Sequence, residues 1–109
     1  MLESLLGSKT RENILIYLLA RNEGYAREIA KYYNTNLSPV QNQLERLENG
    51  NIIAGRQLGR TRLYTFNSRY PFLNELKNLL NKVIKFLPEK EKQKLVAVRT
   101  RPRRKNKPL

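Results

Sequence analysis

The chain contains no cysteine, no histidine and no aspartate, because all nine of its acidic residues are glutamates. The missing cysteines exclude disulfides, thiolate zinc sites and thiol redox switches, and the missing histidines exclude imidazole ligands and imidazole proton transfer. The glutamates are scattered along the sequence, so we expect no metal and no other cofactor. Glycine-rich phosphate loops, triad spacings and carboxylate pairs are also absent. We therefore predict that the protein is not an enzyme.

Long hydrophobic runs are missing as well. The longest, residues 14–20, is too short to cross a bilayer, and the first residues do not resemble a signal peptide. The 109 residues can form one domain with extensions, around a modest core that needs no covalent crosslink. We expect a cytoplasmic, nucleoid-associated protein without a membrane partner.

Positive charge dominates the composition. Twenty-two Lys and Arg residues against nine glutamates give a net charge of +13, which favours polyanionic partners and nucleic acid above all. The charges balance over residues 1–50. By contrast, residues 51–69 hold four arginines and no acid, residues 70–98 six lysines and three glutamates, and residues 99–109 six basic groups and no acid.

Two helices and a turn are predicted in the first third of the chain. Apolar residues at helical spacing indicate a helix over Ser8–Arg21, for which Ser8 is a suitable N-cap. A second, shorter helix is predicted over Tyr25–Tyr33. The Asn-Thr-Asn sequence at 34–36 favours a turn, since asparagine tolerates the left-handed conformation.

The stretch LSPVQNQLERLENGN predicts a third helix. Ser38 and Gln41 have the spacing of a capping box, and Pro39 suits the first helical position, so we expect the helix to begin at Pro39. It should end at Gly50 or Asn51, either of which can hold the left-handed C-terminal position.

The third helix should have one apolar and one polar face. At about 100° per residue, Val40, Leu44 and Leu47 form a stripe that we expect to be buried. Amides dominate the opposite face, where a solvated helix usually carries Lys and Glu. Asn and Gln can form two hydrogen bonds with adenine in a major groove, and Arg can bind guanine or phosphate. The alternative is that these polar residues only face the solvent.

A basic hairpin is predicted after the third helix. Two runs of strand-forming residues flank Gly59, which suits the first position of a two-residue loop. Arg56, Arg60 and Arg62 cluster at the far end, and the segment has no acid, which favours a bound anion. A basic edge that discourages strand pairing is the alternative.

The order of helix, short helix, turn, helix and basic hairpin is that of a winged helix-turn-helix. LSPVQNQLERLENGNII resembles the recognition helix and exit turn of ArsR/MarR-like bacterial regulators, and GRTRLYTFN resembles their wing. The resemblance to winged helix-turn-helix proteins covers about residues 5–87. More closely, the chain resembles small bacterial winged-helix proteins that begin LLGSK, contain GRTRLY and end in RPRR. One departure is Asn51, where those families commonly have glycine.

This resemblance implies a mostly α fold with a small β-hairpin, a winged helix-turn-helix plus a C-terminal helix. It implies sequence-specific binding to double-stranded DNA, with the third helix in the major groove and the Arg-rich wing on the backbone or minor groove. We expect a transcriptional repressor; the sequence does not identify a small-molecule effector. The implied contacts are Ser38, Pro39, Gln41, Asn42, Gln43 and Arg46 on the helix and Arg56, Arg60 and Arg62 on the wing.

A C-terminal helix from Pro71 to the residue before Pro88 carries two apolar stripes, and a short charged turn or two should follow. Two stripes at heptad-like spacing exceed what a peripheral helix needs, which favours a homodimer. The alternative is that both stripes pack on the first helix of the same chain. A dimer would place two recognition helices about one duplex turn apart. The predicted dimer interface is Phe72, Leu76, Leu79, Leu80, Val83, Phe86 and Leu87.

The chain is thus predicted to have three parts: a winged helix-turn-helix domain (1–69), a helical dimerisation segment (70–98) and a disordered basic tail (99–109). The tail can add non-specific contacts with DNA phosphates, or it can bind RNA or an acidic protein or act only as a solubilising segment. Its predicted DNA contacts are Arg99, Arg101, Arg103, Arg104, Lys105 and Lys107.

Two other functions are compatible with these features. One is an RNA- or ribosome-associated winged helix, and the other is a non-enzymatic interaction module whose basic tail binds an acidic partner. The amides of the third helix favour DNA, because purely electrostatic binding would be served equally well by lysines.

Overall fold

The computed structural model describes the backbone of residues 1–99 and the side chains of residues 1–96. This part of the chain contains six helices and three strands. They are α1 (Glu3–Leu6), α2 (Lys9–Arg21), β1 (Gly24–Tyr25), α3 (Ala26–Tyr32), α4 (Leu37–Asn49), β2 (Ile53–Leu58), β3 (Thr61–Phe66), α5 (Leu73–Lys85) and α6 (Glu89–Arg99). Among the helices of residues 1–99, none is both long and apolar enough to span a bilayer.

The helices α2, α3 and α4 followed by the β2–β3 hairpin confirm the predicted winged helix-turn-helix. The strands form one antiparallel sheet in the order β1-β3-β2, so that β1 ties the wing back to the start of α3. Pairing of β2 with β3 extends to Leu58 and Thr61, which leaves the predicted two-residue loop of Gly59 and Arg60. Gly59 has a φ of 64°, a value that glycine adopts without strain at this loop position.

The core forms around α2, which contacts α4, α5, α6 and β3. The middle of α2 is buried on nearly all sides, and one face of each surrounding helix packs against it. α4 therefore packs on one side of α2, and the C-terminal helices α5 and α6 pack on another. The buried apolar residues are Ile14, Leu15, Ile16, Tyr17, Leu18, Ile29, Ala30, Val40, Leu44, Leu47, Ile53, Leu63, Leu80, Val83 and Leu95.

The predicted start of the third helix is wrong by two residues. α4 begins at Leu37, its N-cap is Asn36, and no side chain caps it. Leu37 packs against the core, and this contact favours helical backbone from that residue onward. Ser38 therefore lies inside the first turn and not at the cap, and Pro39 occupies the third position, where a missing N–H still costs no helical hydrogen bond.

Three other predicted features of the helix ends and turns are confirmed. Ser8 caps α2 by accepting a hydrogen bond from the Arg11 N–H at 3.1 Å. After α3, Asn34 has a φ of 53°, in the left-handed region. After α4, Asn51 has a φ of 63°, and the N–H of Ile52 donates to the Leu47 carbonyl at 3.0 Å, as in a Schellman motif.

The C-terminal segment forms two helices that differ from the prediction. α5 begins at Leu73, two residues after Pro71. Phe72 is the non-helical N-cap of this helix. Beyond Pro88 the chain forms a full helix, α6, where only a turn or two was expected. α6 is anchored by the buried Leu95 and by Lys94, whose Nζ lies 4.5 Å from the centre of the Tyr32 ring.

The apolar residues predicted on the C-terminal helix divide between the core and the surface. Leu80 and Val83 are buried against this chain's own core, so they cannot offer surface to a partner, and the prediction that placed them in a dimer interface is corrected. Leu76 and Leu87 are half-buried. The residues that remain exposed are Phe72, Leu79 and Phe86.

The left-handed backbone at Asn51 allows a direct test of how α4 ends. We expect Asn51→Ala to lower the free energy of unfolding by about 1 kcal/mol, because alanine is strained at positive φ. Asn51→Gly should instead leave it nearly unchanged, because glycine adopts positive φ without strain but loses more chain entropy on folding. Urea denaturation measures both. Asn78→Ala, at an exposed helical site on α5, is the matched control, and a loss there equal to that of Asn51→Ala would contradict the assignment.

Candidate nucleic-acid interface

The outward face of α4 carries most of the predicted base contacts. Ser38, Pro39, Gln41, Asn42 and Arg46 are all exposed, as the helical spacing required. Within the described residues, the side chains of Asn42 and Arg46 have no hydrogen-bond or ion-pair partner, so their polar groups are available to a ligand. They line an open depression together with Ser8, Thr10, Pro39, Gln43, Glu45 and Asn49.

Gln43 differs from the other amides because it is half-buried and already bonded. The Arg11 side chain donates from Nε to the Gln43 Oε1 at 2.9 Å and from a terminal nitrogen to the Leu6 carbonyl at 2.9 Å. Since arginine is only a donor, the oxygen of the amide must face it, and one of the two lone pairs of that oxygen is already used. Gln43 therefore ties α4 to the start of α2 and is less free than the exposed amides to turn toward a base.

The wing presents two exposed arginines and one that is already paired. Arg56 and Arg60 are exposed, and Arg60 lies in the two-residue loop. Arg62 instead donates from Nε to Oε1 of Glu48 at 3.2 Å and from a terminal nitrogen to Oε2 at 2.5 Å. The sequence segment of the hairpin contains no acid, but the fold brings one from α4. The view of Arg62 as a third unpaired wing cation is corrected accordingly.

The Arg62 pairing lowers the pKa of the Glu48 carboxyl below its ordinary value, because two hydrogen bonds from a guanidinium stabilise the charged form. Glu48 therefore stays ionised beside the wing. Burial raises the pKa of the neighbouring Tyr64 hydroxyl, which stays neutral.

Glu45 is a candidate contact that the sequence-based assignment left out. It is exposed on the outward face and lines the same depression as Asn42 and Arg46. A carboxylate there can accept a hydrogen bond from the amino group of cytosine. Its position on the face opposite Val40, Leu44 and Leu47 was visible in the helical spacing of the sequence. Arg11 was also missed, because its partner Gln43 is 32 residues away and no local pattern indicates the pair.

A second recess lies on a different side of α2, between α2, the end of α3 and α6. At its base is Glu12, which is 1% exposed and lies 3.3 Å from the Met1 amino group and 3.7 Å from Lys9 Nζ. Burial raises the pKa of Tyr33, which also lines the recess. In residues 1–96 the carboxylates do not assemble into a group of three that could hold a metal ion.

The predicted tail contacts cannot be placed. Arg99 ends α6, but its side chain lies outside the described residues. The other tail residues lie wholly outside them: Arg101, Arg103, Arg104, Lys105 and Lys107.

Comparison with solved structures gives the same fold. HlyU from Vibrio cholerae is 21% identical over 75% of this chain and 83% of its own, with a TM-score of 0.59. ZitR from Lactococcus lactis, as an apo mutant, is 14% identical over 84% and 78%, with a TM-score of 0.55. The adhesin competence repressor AdcR from Streptococcus pyogenes is 18% identical over 84% and 80%, with a TM-score of 0.50. These are winged-helix regulators of the ArsR and MarR type. No protein-family model and no curated protein sequence matches the chain.

The Glu48–Arg62 pair predicts a pH-dependent contribution to stability. Because the folded-state pKa of Glu48 is lowered, this contribution is complete above the ordinary glutamate pKa of about 4.3 and is lost as the pH falls through the lower folded value. Glu48→Gln should cost about 0.5 kcal/mol at pH 7, a value discounted for solvent screening. Urea unfolding of the parent and of Glu48→Gln between neutral and acidic pH measures the difference in their free energy of unfolding. Glu45→Gln controls for charge removal on α4, and a Glu48→Gln difference that does not vary with pH would contradict the assignment.

Proposed function

We propose that the protein is a sequence-specific, double-stranded DNA-binding transcriptional regulator, and specifically a repressor. The observation that carries this proposal is the outward face of α4, where Asn42 and Arg46 are exposed without partners in the described part of the chain. Amide and guanidinium groups on a helix that can enter a major groove are the groups that distinguish bases there. The wing adds two exposed cations, Arg56 and Arg60.

Three further features support the proposal. In helix-turn-helix proteins the second helix of the motif lies in the major groove, and α4 is the corresponding helix of this fold. The net charge of +13 favours a polyanion, and its excess lies in the wing and beyond. AdcR, one of the structurally similar proteins, is named a repressor. A repressor of this kind has no catalytic role and acts in the cytoplasm, on the nucleoid.

Each part of the interface has a distinct proposed role. Gln41, Asn42 and Arg46 contact base edges, while Ser38 and Pro39 pack against the groove wall. Arg56 and Arg60 contact phosphates or the minor groove. The basic residues from Arg99 onward add non-specific affinity.

We also propose that the protein acts as a homodimer through the outward stripe of α5. Phe72, Leu79 and Phe86 follow one another at intervals of seven residues and are 62%, 36% and 67% exposed. Leu79 lies on α5, and Phe72 and Phe86 flank the two ends of the helix. A row of apolar residues at heptad spacing suits a paired helix in a second copy. Leu80 and Val83, on the inward side of the same helix, would hold α5 rigidly against the core of its own protomer.

The proposed function is tested by fluorescence anisotropy on three probes across a salt series. These are a duplex selected by the protein from a random pool, an unselected duplex, and double-stranded RNA of equal length. We expect the selected duplex to bind more than tenfold tighter than the unselected one at every salt concentration. Equal affinities that fall together with salt would reduce the interaction to charge alone, and a preference for RNA would replace DNA as the partner.

Two substitutions separate base contact from phosphate contact. Asn42→Ala should reduce the discrimination between selected and unselected duplexes by about 1–3 kcal/mol. Arg60→Ala should weaken binding to both duplexes alike, and it should reduce the steepness of log K against log salt by about 0.9. Lys82→Ala, at an exposed cation on α5, is the control and should change neither quantity. Equal weakening of binding to both duplexes by Asn42→Ala would contradict the base-contact role of Asn42.

The dimer is tested by sedimentation velocity. The parent should sediment at twice the 12.9 kDa chain mass, and the triple variant Phe72→Ser, Leu79→Ser, Phe86→Ser should sediment as a monomer with unchanged helix content. Leu58→Ser, at an exposed leucine next to the wing loop, is the control and should remain dimeric. A parent protein that is monomeric at micromolar concentration would rule the interface out.

A further inference from the structure

The wing is attached to α4 at two places. At its base, the Asn67 side chain donates from Nδ2 to the Asn51 carbonyl at 2.9 Å. Further out, Arg62 of β3 binds Glu48 in the last turn of α4 through both carboxylate oxygens. Paired hydrogen bonds between a guanidinium and a carboxylate fix direction as well as distance, which single ion pairs do not. Beyond Arg62 the hairpin is exposed.

The route of the Arg62 side chain depends on a missing side chain in the opposite strand. Gly55 lies in the middle of β2, where glycine is normally unfavourable because it packs nothing. A Cβ atom placed on Gly55 would lie 3.0 Å from Cζ of Arg62 and 3.1 Å from a terminal guanidinium nitrogen. The guanidinium thus crosses β2 at the one position of that strand without a Cβ, and so reaches Glu48.

We propose that Arg62 is a positioning residue, which together with Glu48 forms a latch that fixes the wing against α4 and does not itself contact DNA. The latch holds the exposed Arg56 and Arg60 at a set offset from the base-contacting face. A wing ordered in advance loses less conformational entropy on binding. The DNA part of this inference rests on the proposed function, whereas the positioning part concerns the free protein.

The chemistry of the pair argues against a direct phosphate contact. To reach a phosphate, Arg62 would have to leave two charge-assisted hydrogen bonds to Glu48. Glu48 would then stand unpaired beside the DNA backbone, and like charges at an interface are unfavourable. Arg56 and Arg60 carry no such cost, because neither has a partner within the described residues.

The free protein provides the first test. Since the chain has no cysteine, Leu58→Cys in the wing and Lys31→Cys on α3 give two unique spin-label sites in the full chain. Electron–electron double resonance should show a narrow distance distribution. Glu48→Gln/Arg62→Gln should broaden it, and Gly55→Ala, which keeps both charges but obstructs the guanidinium, should broaden it too. Arg56→Gln is the matched control that should leave it narrow. Unchanged widths in both latch variants would overturn the proposal.

The second test uses the selected duplex. Glu48→Gln/Arg62→Gln keeps the net charge at +13, so a change in salt slope reports a lost contact and not a lost charge. We expect Kd to rise about three- to tenfold with an unchanged slope. Arg56→Gln should lower the slope by about 0.9. A similar fall in the double variant would show that Arg62 contacts phosphate and would overturn the proposal. If the parent binds no duplex, the proposed function fails, while the distance measurement still decides the latch.

Discussion

The packing of α4 against α2 is the constraint on which the rest of the structure depends. Leu44 and Leu47 are buried against the core, and this burial turns the opposite face of α4 outward. Two arginines then hold the flanks of the helix, Arg11 from α2 through Gln43 and Arg62 from the wing through Glu48. The apolar contacts set the depth of the helix, and the polar contacts set its rotation and its relation to the wing. The exposed face is therefore presented by a helix fixed on three sides.

The parts of the fold that were predictable from the sequence rest on local chemistry. Ser8 caps α2, Asn34 adopts the left-handed backbone of the turn, and Gly59 forms the hairpin loop, each within a few residues of the partners it needs. The 3.6-residue periodicity also placed Asn42 and Arg46 on the exposed face. Such features are encoded in short segments, because backbone conformation and helix faces are determined over one or two turns.

The parts that were not predictable depend on contacts between distant segments. Arg62 was taken as a free cation because its acid lies 14 residues away on another element. α4 begins at Leu37 and not at the predicted Pro39, because the core contact of Leu37 outweighs the capping pattern at Ser38. The two stripes of α5 were equally apolar in sequence, and only the packing against α2 decided that Leu80 turns inward. Local patterns limit the conformations and positions open to each residue, and tertiary contacts determine which of them it adopts.

The anchoring of α6 has a consequence for the turn before α4. Leu95 is buried in the core, and Lys94 contacts both the ring and the carbonyl of Tyr32 at the end of α3. Because α3 leads directly into that turn, α6 supports the segment from which α4 begins. A substitution that detached α6 would therefore loosen the helix-turn-helix without altering any residue of α4 or the wing.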